Sequence, residues 1–88
     1  MSLTLEKVRK MIDLIDEEIL ALLSERLRVV GSATLFKDAI RDREREESIL
    51  ERLCSSAKKH NRLREEFVEL IYSEILAESR RVQERRGL

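Results

Sequence analysis

From Leu5 onward the apolar residues fall at Leu5, Val8, Ile12, Ile15, Ile19 and Leu22, in alternating steps of three and four. That period marks one face of an α-helix. Thr4 is placed to cap its N-terminus, with Glu6 in the first turn. The stripe continues through Val29, Val30 and Ala33 to about Phe36, predicting a helix of ~32 residues and ~48 Å. So long a helix in an 88-residue chain demands a partner along its length. Gly31 costs about 1 kcal/mol relative to alanine in a helix interior, which points to close packing or a slight bend there.

The remainder of the chain reads as two more helices. A polar break at Asp38–Asp42 precedes a helix beginning near Asp42 or Arg43 and carrying Ile49, Leu50, Leu53 and Cys54 to about Ala57. Ser55 to Asn61 supply the next connection, with Asn61 placed as the N-cap of the third helix and Glu65 and Glu66 in its first turn. Phe67, Leu70, Ile71, Ile75 and Val82 carry that helix to about Arg85. With no proline, two glycines and an excess of Leu, Ile, Glu, Arg and Ala, the chain lacks the turn chemistry of a β-sandwich or barrel. The expectation is a single all-α domain over residues 1–88. A lone bundle of this size buries only about 60–65% of its chain surface, so a dimer is expected.

Eighteen basic residues balance eighteen acidic ones. Nucleic-acid binders usually carry a net basic footprint, which argues against that class. Arg80, Arg81, Arg85 and Arg86 cluster near a predicted helix end, where cations complement the helix dipole. The single Cys54 cannot form an internal disulfide and reads as a small core residue. His60 stands alone in a loop with no partner at metal-ligand spacing. There is no membrane-length apolar run and no signal-peptide pattern, so a soluble cytoplasmic protein is expected.

The informative feature is where each apolar stripe turns polar. In the first helix Ile15, Ile19 and Leu22 are followed by Arg26, and Lys37, eleven residues on, returns within ~20° of the same direction. The second helix opens its stripe with Asp42, Arg45 and Glu46 before Ile49 and Leu53. In the third, Val68, Ile71 and Ile75 continue as Ser79 and Gln83. Taken singly, each polar residue has an ordinary reading as a surface ion pair or a snorkelling side chain. Taken together they place a net-positive cluster toward one region of the interior. Such a cluster would be costly if empty, and an anionic ligand would satisfy it. No nucleophile–base pair, metal set or Gly-rich phosphate loop accompanies it, so the arrangement is suited to binding and polarising.

At this point a resemblance is specific. Arg9-Lys10-Met11-Ile12-Asp13-Leu14-Ile15-Asp16, Leu22-Leu23-Ser24-Glu25-Arg26, Asp42-Arg43-Glu44-Arg45-Glu46 and Glu78-Ser79 with Gln83 together resemble the all-helical (AroQ-class) chorismate mutases over almost the whole chain. The resemblance implies an intertwined homodimer of three-helix protomers with a long first helix. It also implies conversion of chorismate to prephenate without a cofactor, in phenylalanine and tyrosine biosynthesis. By resemblance, Arg26 and a partner protomer's Arg9 would hold the two substrate carboxylates. Lys37 and Gln83 would donate to the ether oxygen, and Glu46 would accept from the ring hydroxyl. Asp42, Arg45 and Ser79 would line and orient the pocket. Geometry agrees for Arg9, which lies ~25 Å along the helix from Arg26 and ~100° around it, too far for one pocket in a straight chain.

Only Asp38, Ala39 and Ile40 separate Lys37 from Arg41, fewer residues than this family usually places there and without its common Gly or Pro. A tight or partly helical first connection is therefore expected. The segment Gly31–Lys37 also resembles isochorismate pyruvate-lyases of the same fold, which typically lack a carboxylate at the position of Glu46. A non-catalytic helical dimerisation module is the other alternative.

Overall fold

The computed structural model describes residues 2–36 and 43–86, which form three α-helices and no strand. Helix α1 spans Leu5–Ser32. The Thr4 hydroxyl accepts from the Lys7 amide at 3.2 Å, the cap read from the sequence, and such a cap contributes about 1 kcal/mol. The helix ends four residues short of the expected Phe36. At its end the Ala33 amide donates to the Gly31 and Val30 carbonyls, and Ala33–Leu35 wind as a 3-10 turn. Two local causes coincide there. Gly31 weakens the helix, and the Thr34 hydroxyl donates to the Gly31 carbonyl at 2.8 Å, offering the backbone an alternative partner. Gly31 is also the buried residue of α1, so close packing is realised where the glycine stands.

Helix α2 spans Arg43–Ala57, with Glu44 and Glu46 in its first turn and Ile49 and Ala57 buried. Helix α3 spans Glu65–Arg86. Asn61 is not its cap. The amides of Lys58, Lys59 and His60 donate to the carbonyls of Ser55, Ser56 and Ala57, and the Leu63 amide donates to His60. These successive turns carry the chain past Asn61, and the Val68 amide closes the first helical bond on Arg64. Glu65 and Glu66 occupy the first turn as expected, and His60 is exposed in the connection.

Helix α3 packs against both α1 and α2. The apolar core of the described residues is small: Ile49, Ala57, Val68 and Leu76 are buried, and no large side chain is wholly enclosed. Cys54 is half-buried, with its thiol directed at the Glu65 carbonyl. Burial pushes that thiol above its ordinary range, and the charges of Glu69, Glu65 and Glu66 push it the same way.

The outline measures 55 × 26 × 16 Å. With one dimension more than three times the least, the protomer is an elongated slab rather than a closed bundle. Consequently Met11, Ile12, Ile15, Ile19 and Leu22 on α1 remain between 50% and 69% exposed. Among the described residues no helix is long and apolar enough to cross a membrane.

Candidate functional site

The C-terminal half of α1, the start of α2 and the C-terminal half of α3 line an open cavity of about 330 Å³. Val30, Ile49 and Leu76 form its apolar wall. Its polar wall brings together Arg26 from α1, Arg45 and Glu46 from α2, and Ser79, Arg80 and Gln83 from α3. The helical phases that set Arg26, Arg45, Glu46, Ser79 and Gln83 on core-facing stripes thus converge on one space. Lys37 and Asp42 lie outside the described residues. Arg9 is exposed near the other end of α1 and does not line the cavity.

Arg26 is fixed from two sides. Its Nη1 donates to Ser79 Oγ at 2.7 Å, and the Ser79 hydroxyl in turn donates to the Ile75 carbonyl at 2.8 Å. Ser79 is only 6% exposed, so its hydroxyl is a defined acceptor rather than a solvated one. The Arg26 guanidinium carbon also lies 6.0 Å from the centre of the Tyr72 ring, at the outer range of a cation–π contact.

Arg80 was read from the sequence as a helix-end cation, and the structure corrects that reading. Its Nη1 meets Glu46 Oε1 at 2.6 Å, joining α3 to α2 inside the cavity wall. Arg81, its neighbour, does behave as a surface residue, bonding Glu78 at 2.6 Å one turn back on its own helix. A signal for Arg80 and Tyr72 was present: Val68, Tyr72, Leu76 and Arg80 form an i, i+4 row beside the stripe that contains Ser79. The stripe of Val68, Ile71, Ile75, Ser79 and Gln83 shares only Val68 with that row, whose Leu76 is also buried.

Among the described lining residues three guanidinium groups face one carboxylate, an excess of two positive charges. The described residues contain no His, Cys, Asp and Glu grouping able to hold a metal ion. In this wall the Ser79 hydroxyl is committed to Arg26 and Ile75, and no histidine stands beside it as a base. The arrangement can hold a small dianion and present to it both donors and the Glu46 carboxylate as acceptor.

Fold and cavity together define an all-helical protein with a cationic site for a small organic anion. The chain matches the family model described as chorismate mutase type II over residues 8–84, and it belongs to that family. No curated protein and no solved structure matches it.

Proposed function

We propose that this protein is a chorismate mutase that rearranges chorismate to prephenate, with an intertwined homodimer as its working unit. The observation that carries the reading is the convergence of Arg26, Arg45, Glu46, Ser79 and Gln83 on one cavity in a chain of this family. The reaction is a one-substrate pericyclic rearrangement, so it requires no covalent intermediate and no cofactor. Two tasks remain for the protein: selecting the compact substrate conformer, and stabilising charge that separates in the transition state.

Arg26, held by Ser79, takes one substrate carboxylate, and Arg9 of the partner subunit takes the other. Gln83 and Lys37 donate to the ether oxygen as its bond breaks and negative charge develops there. Glu46 accepts from the ring hydroxyl, and Asp42, Arg45 and Ser79 line and orient the pocket. A fixed guanidinium–hydroxyl pair suits this task, because it incurs little reorganisation when the substrate closes.

Support for the dimer comes from the open side of the slab. Between α1 and α3 runs an apolar groove of about 620 Å³, lined by Ile19, Leu22, Leu23, Leu70, Ile71 and Ile75. Completing the burial of a half-exposed aliphatic side chain contributes about 1 kcal/mol. The symmetric pairing of two such faces therefore supplies stabilisation that the small core of one protomer lacks. It also brings a second α1, with its Arg9, toward each cavity. On this reading the enzyme serves phenylalanine and tyrosine biosynthesis in the cytoplasm.

The test is the loss of chorismate absorbance on adding purified protein, with prephenate identified by its acid conversion to phenylpyruvate. Faster conversion of isochorismate to salicylate and pyruvate would reassign the site to a lyase. No turnover of either substrate would reduce the chain to a helical dimerisation module.

A further inference from the structure

The Arg80–Glu46 contact has no role in the assignments above. We infer that Arg80 is a positioning residue: it fixes the Glu46 carboxylate in the cavity wall so that Glu46 presents an acceptor to the ligand hydroxyl. The inference rests on the reading of the cavity as the chorismate site.

Three observations carry it. The pair differs from four other ion pairs among the described residues. Lys10–Glu6, Arg28–Glu25, Lys58–Glu65 and Arg81–Glu78 all have side chains at least 45% exposed, whereas those of Arg80 and Glu46 are 28% and 23% exposed. Screening by water is correspondingly weaker for this pair.

The second observation is position along α3. Arg80 precedes the last residue of the helix, Arg86, by more than a turn and a half. The dipole effect falls off within the final turn, so helix-end charge complementation does not account for where this side chain goes.

The third is its neighbour. Ser79 accepts from Arg26 of α1, and Arg80 donates to Glu46 of α2. Consecutive residues of one helix thus tie down a cation and an anion in the polar wall of the same cavity. Glu46 stands in the first turn of α2, and an untethered glutamate there would sample several rotamers. A carboxylate offers about four acceptor sites, so a contact through Oε1 leaves capacity for a ligand hydroxyl.

A double-mutant cycle on the full chain tests the inference, using Arg80→Ala, Glu46→Gln and their combination, with Arg80→Lys as the conservative variant. Each is read by steady-state turnover of chorismate and by thermal unfolding. Arg80→Ala should lower kcat about tenfold and change KM less than about threefold, and Arg80→Lys should recover part of the loss. In the Glu46→Gln background, Arg80→Ala should cost less than about twofold. A raised KM at unchanged kcat would make Arg80 a ligand-binding group, and equal losses in both backgrounds would separate it from Glu46. Either result overturns the inference. Should Arg80→Ala fail to fold, Arg80→Gln takes its place in the cycle. If the wild-type protein leaves chorismate unchanged, the functional reading falls, and the unfolding cycle decides the pair by itself. Non-additive losses in Tm then retain Arg80 as the group that holds Glu46 in the wall, and additive losses overturn it.

Discussion

If each cavity is completed by Arg9 of the partner subunit, two inactive proteins should restore one another. Helix α1 is unbroken from Leu5 to Ser32. Arg9 and Arg26 are therefore about 25 Å apart along its axis, well beyond the reach of one side chain, and cannot serve one pocket from the same chain. Arg9→Ala and Arg26→Ala should each reduce turnover by roughly 10²–10³, the scale of removing one preorganised charge-stabilising donor. When the two variants are mixed and allowed to exchange subunits, about half of the dimers pair one chain of each kind. In such a dimer one cavity has Arg26 from the first chain and Arg9 from the second, while the other cavity has neither. Half the dimers with half their cavities intact give about a quarter of wild-type activity. The assay is chorismate loss by absorbance, after exchange has been verified by native mass spectrometry of differentially tagged chains. A site built within one chain gives loss without recovery, and a surface role for either arginine gives little loss at all. Mixtures that stay inactive after verified exchange refute the shared-cavity argument.

Further outcomes follow from individual residues. Ile15→Asp, on a side chain 54% exposed in the protomer, should leave helicity intact but yield monomers by sedimentation velocity. Retention of the dimer would place the interface elsewhere. Ser79→Ala removes the acceptor of the Arg26 bond and should lower kcat/KM about tenfold, the equivalent of about 1.4 kcal/mol. Unchanged kinetics would show that Arg26 does not depend on that hydroxyl. Lys37→Ala should reduce kcat by roughly 10²–10³ if Lys37 donates to the breaking ether bond, and an unchanged kcat would remove it from the site. Cys54, whose thiol burial holds protonated, should alkylate more slowly than an unfolded-chain thiol at pH 8. That difference should shrink as pH rises through the folded-state value, because only the thiolate reacts. Equal rates in native and unfolded protein would contradict the burial.

What the sequence determined by itself is the set of helices and the direction in which each presents its polar residues. Periodicity is a local property, so the alternating steps of three and four in α1, the Thr4 cap and the acidic first turn of α3 were all legible before any packing was known. The same holds for Arg26, Ser79 and Gln83, because a polar residue in helical phase with buried apolar ones must face the same way. Local chemistry also set limits on that reading. The end of α1 depended on a competition between the helix and the Thr34 hydroxyl at Gly31, which a smooth apolar stripe conceals. The start of α3 depended on how many turns the 58–64 connection takes, and Asn61 is as ordinary in a turn as at a cap. Only the tertiary structure decided which long side chains meet. Arg80 looks like any helix-end arginine until the packing of α2 on α3 sets Glu46 within 2.6 Å of it. It likewise decided that the face of α1 most strongly marked as core stays half open in one protomer, because a period names the buried side of a helix without naming what covers it.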